Sequence, residues 1–326
     1  MYYRMLRRWL LAVCIIAVLS AGCATVHTCN YREIVGECSG KTKEDEVICR
    51  GLGWLFEHPV DIEKDGFLEL GEEINLFYKL YLKAEDRRER KFFHSLLESK
   101  VDYLLTEHDL KVDFAGEVTG YLNFAKIMKR MEIKRPGYDR FIQEEILPNP
   151  MTYPPNITYT ILNSALVEDI GATPRVNFGN LVSQGVIARF TSQPGLMPIG
   201  KAYASDNDIM NFFYDITHEV FAVSNFGDRD PRQYLLDDEI QFLRSLIPQG
   251  IAKYLEDGQV DILGELIICA KMIEYTNFHN YEEGIQYILN AQKEDGSFGR
   301  IERMAFLGRP NLYRHGVLVS LWALVE

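Results

Sequence analysis

The 326 residues contain no apolar run long enough to cross a bilayer as a helix. The stretch Trp9–Leu19 holds only 11 residues, where a span needs about 20. Basic charge is scarce as well: 35 Lys and Arg stand against 47 Asp and Glu, a net −12. Arg4, Arg7 and Arg8 fall in the first 22 residues, which carry no acid, so the rest of the chain sits at −15. A body so acidic cannot neutralise phosphates, which argues against nucleic acid as a partner. Strand-like alternation is rare, which argues against a sheet-based core. Complete catalytic signatures are missing: there is no Gly-rich phosphate loop, no Gly-x-Ser-x-Gly elbow and no His-Glu-x-x-His. What is present is apolar bulk. Hydrophobic residues make up 47% and charged residues 25%, a balance that excludes general disorder and supports a substantial core.

The N-terminus reads as an address. The basic start, the apolar run and then Ser20, Ala21, Gly22 and Cys23 follow the layout of a secretory signal. The closing Leu-Ser-Ala-Gly-Cys resembles a bacterial lipobox, in which the Cys becomes the lipidated first residue. Ser20 departs from that pattern, because the Leu lies one place early. The resemblance implies a signal peptide over 1–22, lipidation at Cys23, membrane attachment through the lipid and a place in the cell envelope. Residues 23–60 are then expected to form a tether and 61–326 the folded domain. Cys29, Cys38 and Cys49 lie close together in sequence, and their spacings fit no zinc pattern. One disulfide among the three is expected of an exported chain. Cys269 sits in an apolar stretch and reads as a small core residue.

Beyond Cys49 the pattern is helix, turn, helix. Apolar residues recur at three and four, as in Leu70, Ile74, Phe77, Tyr78 and Tyr81. Pro248 is expected to kink or end a long helix. A weak repeat runs through the chain. Asp215-Ile-Thr-His-Glu-Val matches Asp261-Ile-Leu-Gly-Glu-Leu, and both resemble Glu69-Leu-Gly-Glu-Glu-Ile and Glu117-Val-Thr-Gly-Tyr-Leu. Looser copies start near Tyr159 and Tyr313. Starts roughly 50 residues apart predict six helix pairs, most simply closed into one ring.

The segment Gln292-Lys-Glu-Asp-Gly-Ser-Phe-Gly299 resembles the Gln-x-x-Asp-Gly-Ser-Trp/Phe-Gly motif of the terpenoid cyclase and protein prenyltransferase toroids. The segment from Tyr313 to Leu324 is similar to the last inner helix of that superfamily. The resemblance covers residues ~206–326 and implies an all-α, (α/α)6 toroid of about twelve helices. It does not imply the activity. The cyclase Asp-x-Asp-Asp acid is absent, and Asp261 has Leu263 where the prenyltransferase zinc set has Cys. No cofactor is assigned; zinc suits the residue types, but its set is incomplete.

Within such a ring, Asp215 and Glu219 are one turn apart, as are Asp261 and Glu265, so each pair shares a helix face. His218 is on the first of these helices and His315 on the last. His218, Asp261, Glu265 and His315 are the catalytic candidates, and Asp215, Glu219 and Tyr313 are expected to line the cavity. Together they could hold a transition metal or work as an acid–base set. An acid near a helix start also serves the helix itself, by capping it and complementing its dipole. The expected function is a lipid-anchored binding or scaffold protein with an acidic, aromatic cavity for a small molecule, glycan or peptide. The alternative is an extracytoplasmic glycan or peptide lyase or hydrolase.

Overall fold

The computed structural model describes residues 42–60, 67–107, 110, 112, 115–199, 201, 204–299 and 312–326. Cys23, Cys29 and Cys38, and with them the signal and lipidation readings, lie outside the described residues. Among those described there are thirteen α-helices and no strand, as the periodicity predicts. They are α1 (Lys43–Glu57), α2 (Phe67–Lys83), α3 (Arg87–Glu107), α4 (Ala115–Arg130), α5 (Pro136–Phe141), α6 (Ile157–Asp169) and α7 (Phe178–Val182). They continue with α8 (Val186–Ser192), α9 (Asp206–Val223), α10 (Asp237–Asp257), α11 (Val260–Met272), α12 (His279–Ala291) and α13 (Leu312–Val325).

Six of these helices pack in a closed cycle. α2 touches α4, α4 touches α6, α6 touches α9, α9 touches α11, α11 touches α13, and α13 returns to α2. The six repeat starts, at 69, 117, 159, 215, 261 and 313, each fall inside one of these six helices. Side-chain contacts show that the six run in the same direction. Early residues meet early residues, as Glu72 meets His315. Late residues meet late residues, as Lys79 meets Glu326 and Lys126 meets Asn225.

The composition of the cycle helices follows from their position. A helix enclosed on every side cannot keep a polar face. Every residue of α11 is buried except Lys271, and α6 is buried from Thr160 to Val167. The other helices keep one wet face and lie outside: α3 on α2, α10 and α12 on α11, α1 on α13. Their starts are capped locally. Ser205 and Asp208 form a capping box at α9, and Glu239 accepts from the Leu236 N–H at α10. α10 runs through Pro248 without ending. Of the two expected outcomes, a kink or an end, the end does not occur: packing on α8 and α11 holds the helix despite one lost N–H.

The domain boundary also moves. Residues 42–60 are not a tether, because α1 buries Val47, Leu52, Leu55 and Phe56 against the body. The Gln292–Gly299 turn fastens it there. The Gln292 side-chain amide donates to Val47 O at 2.7 Å and to Gly296 O at 3.2 Å. Gly296 has φ 95°, and a Cβ there would lie 2.4 Å from Arg50 O, so only glycine fits both the turn and the contact. Cys49, on the same helix, is disulfide-bonded.

A buried ion cluster locks the seam between α2, α3 and α13. Glu73 is 1% exposed and meets Lys100 Nζ at 2.8 Å and Arg314 Nη2 at 2.5 Å. Arg314 also donates to His58 O, at the end of α1. Burial alone would raise the Glu73 pKa, but the two cations outweigh it and hold it below the ordinary value. A depressed folded pKa gives stability above the unfolded pKa that is lost as pH falls. Glu73→Gln is expected to cost about 3 kcal/mol at pH 7 by urea denaturation, because it leaves buried cations unpaired. It should also weaken the loss of stability on acidification. An unchanged urea midpoint would remove Glu73 from this role.

Candidate functional site

A cavity occupies the middle of the cycle and is walled by residues from all six of its helices. The space within it that is open to water is ≈ 110 Å³, smaller than the ~300–1,000 Å³ of drug-sized ligand pockets. At its late end lie Phe221, Phe226 and Trp322. The Trp322 ring centroid is 5.2 Å from that of Phe221 and 6.1 Å from that of Phe226, so the three close the ring as an aromatic floor. Lys126 lies behind that floor, 5.0 Å from the Phe226 ring centroid. At the early end the wall turns polar, with Glu72, Tyr159 and His315.

The wall residues have a register. Counted from the repeat starts, several fall three and six places on, as do Glu72 and Asn75, Gly120 and Asn123, His218 and Phe221, whereas Glu265 falls four on and His315 two. Offsets of three and six keep to one helix face. Of the acids four apart at the first and fifth places, Asp215, Glu219 and Asp261 lie off the wall, and Glu265 is part of it.

His218, Glu265 and His315 come together at the wall. Glu265 Oε1 is 4.0 Å from His218 Nε2 and 3.9 Å from His315 Nε2. Its Oε2 accepts from the Thr217 hydroxyl at 2.5 Å. The other His315 nitrogen, Nδ1, is 2.7 Å from Glu72 Oε2. Burial pushes the Glu265 carboxyl up to about 8, against the pull of His315 and Thr217. Burial pushes His218 down to about 4, although 34% of its side chain stays open to the cavity. At pH 7 the pair therefore holds a neutral imidazole beside a protonated carboxyl. These are separated roles of the kind acid–base sites use, and equally a buried pair kept free of charge.

The other candidates go elsewhere. Asp261 accepts from the Tyr214 hydroxyl at 2.7 Å and is not part of the cavity wall. Asp215 accepts from Thr158 Oγ1 at 3.0 Å, and burial raises its pKa. The expectation that Asp215 and Glu219 line the cavity is corrected: neither is in the wall. Glu219 is fully buried on the far side of α9, where it accepts from Val186 N at 2.6 Å and Ile187 N at 3.2 Å. It thus caps α8 from another helix. Gly185 makes room for it, since a Cβ there would lie 2.1 Å from Glu219 Oε1. Burial raises Glu219 to about 8, the two N–H groups lowering it only in part. The Tyr313 side chain lies outside the described residues.

Glu72, Asn75, Asn123 and Phe226 were not singled out from the sequence. The repeat held the signal for the first three, at its fourth and seventh places. Among the described residues, no three His, Cys, Asp or Glu side chains are grouped to hold a metal ion. Separations of 3.9 and 4.0 Å between Glu265 and the two imidazoles reflect neighbours, not ligands converging at about 2 Å on one centre.

Residues 202–310 match a family model described as a domain of unknown function, DUF6895. The match takes in α9 to α12, with His218, Asp261 and Glu265, and leaves out α13 with His315. No curated protein and no solved structure matches the chain.

The raised Glu265 pKa has a consequence for stability. A carboxyl that is easier to protonate folded than unfolded loses nothing below the unfolded value near 4.5, and costs stability progressively as pH rises toward 8. Glu265→Gln should therefore gain on the wild type by about 1–2 kcal/mol between pH 5 and pH 8.5, measured by urea midpoints. Parallel curves for the two proteins would show that Glu265 is ionised in the folded state.

Proposed function

We propose that this chain is an exported, lipid-anchored binding protein whose six-helix cycle is the inner ring of an α/α toroid. The ring-centre cavity is its ligand site. The observation that carries the reading is the cavity itself: one polar-mouthed, aromatic-floored space to which all six cycle helices contribute. The Gln292–Gly299 turn supports the toroid, because it ties the last outer helix to α1 in the way such a motif would seal a ring of helix pairs. The disulfide at Cys49 supports export. Among the described residues no helix is long and apolar enough to cross a membrane, so attachment would rest on Cys23.

A second reading has a specific observation behind it. His218 as a neutral base and Glu265 as a protonated acid, 4.0 Å apart, could move a proton in a lyase or hydrolase acting on a glycan or peptide. Activity on such a substrate, with a bell-shaped pH profile, would be expected to fall by at least about 100-fold in His218→Ala. The binding reading predicts no turnover to lose.

The address is tested in cells. Wild-type protein is expected in the membrane fraction with a mass that includes acyl chains, and Cys23→Ser is expected to be unacylated and released from that fraction. Equal membrane retention of both proteins, without acylation, would overturn the anchor.

A further inference from the structure

We infer that the cavity takes a small uncharged molecule, an apolar body of the size of a single ring with one hydroxyl, and that the hydroxyl bonds to His218; this rests on the binding reading above. Size sets the first limit. An enclosed apolar cavity of about 150 Å³ holds one benzene. The ≈ 110 Å³ here, open at the mouth, leaves room for one such ring and none for a peptide or a sugar chain. The wall sets the second limit. Leu162, Phe221, Phe226, Leu318, Val319 and Trp322 make most of it apolar, and an apolar body gains by leaving water for such a surface. No Lys or Arg is in the wall to pair with an anion. Glu72 is bonded to His315 at 2.7 Å and Glu265 to the Thr217 hydroxyl at 2.5 Å, so a cation would have to compete with one of these contacts.

His218 supplies the polar contact. Its side chain makes no hydrogen bond among the described residues, and the carboxyl oxygen beside it, Glu265 Oε1, is 4.0 Å from its Nε2. The side chain nevertheless stays partly open, and it is part of the wall. Its ring is flanked along α9 by those of Tyr214 and Phe221, with centroids 6.0 Å and 6.1 Å away. Phe221 in turn begins the aromatic floor, 5.2 Å from Trp322, so a ring resting on that floor has the imidazole within reach of a substituent. Burial keeps the imidazole neutral, with its pKa down at about 4, so it offers one N–H and one bare nitrogen. A hydroxyl can accept from the first or donate to the second, whichever nitrogen carries the proton. A carboxylate would answer only the N–H, and an ammonium only the bare nitrogen.

The test uses the full-length protein in detergent, with every titration repeated on the detergent alone. The probes are phenol, benzene, benzoate, benzylamine and glucose, and calorimetry and the shift in Tm are the readouts. Phenol is expected to bind at least about tenfold more tightly than benzoate or benzylamine, and glucose is expected not to bind. His218→Leu is expected to weaken phenol at least about fivefold and to change benzene by less than about twofold, because only phenol uses the imidazole. Leu162→Trp, which fills the space, is expected to abolish the binding of both. Should His218→Leu fail to fold, His218→Phe must show the same selective loss. Equal loss of phenol and benzene in a folded His218 variant would overturn the proposal, and so would phenol binding that survives in folded Leu162→Trp. Equal or tighter binding of benzoate, benzylamine or glucose would overturn this ligand class and leave the binding reading standing. Silence from every probe would overturn both.

Discussion

A helix in a closed cycle has no wet face, and most of this structure follows from that constraint. Each cycle helix meets two neighbours in the ring and the cavity at its centre, and most carry an outer helix as well. Apolar residues must therefore continue around the helix, as they do in α6 and α11. Any polar residue that remains must find its partner inside the protein. The acids of the repeat show how this is met three different ways. Glu73 is ionised between two cations, Glu219 is capped onto the start of α8, and Glu265 is shielded by a hydroxyl and two imidazoles. The sequence position is common to all three; the chemical state is set by what the adjacent helix brings.

The same constraint shapes the closed end. After α9 the chain turns through Asn225, Phe226 and Gly227, all with positive φ, at 52°, 56° and 85°. Two of the three are not glycine, and each such residue costs about 1 kcal/mol or more. The turn is held because its groups answer a demand below the floor. Lys126 is buried, and burial lowers its pKa to about 8. The Asn225 carbonyl and amide oxygens and the Asp228 carboxylate gather round its ammonium. Arg130 then joins Asp228 to Asp169. The strained turn that feeds this cluster is also what lays Phe226 across the ring. A local backbone cost and a buried charge offset each other, and the outcome is a cavity open at its early end.

Much of the fold was legible in the sequence, because a repeat is a packing signal. Copies of one motif at intervals near 50 residues mark positions that meet equivalent neighbours, and all six starts lie in cycle helices. The site was less legible for the same reason. Acids stand at both the first and fifth places in three of the six copies, and they led toward Asp215, Glu219 and Asp261, which serve the seams. Residues that face the cavity differ from helix to helix: Glu72, Gly120, Leu162 and His218 occupy one equivalent place. A ligand is asymmetric, so the face it touches has no reason to repeat. His218, Glu265 and His315 were found because histidine is rare on an apolar helix. Asn75 and Asn123 carry no such mark until the unpaired amide is seen in its surroundings.

Charge and cavity are finally one question. The chain is acidic overall, yet burial favours the neutral forms of Glu265 and His218 in the wall of its central space. A carboxylate and an imidazolium 4.0 Å apart attract strongly only where the medium is poor in water, and there the desolvation of both opposes the pair. Moving one proton removes both charges, and the burial of Glu265 and His218 favours that outcome. A bound ligand that displaced water from the mouth would strengthen this preference, because less solvent would remain to support an ion.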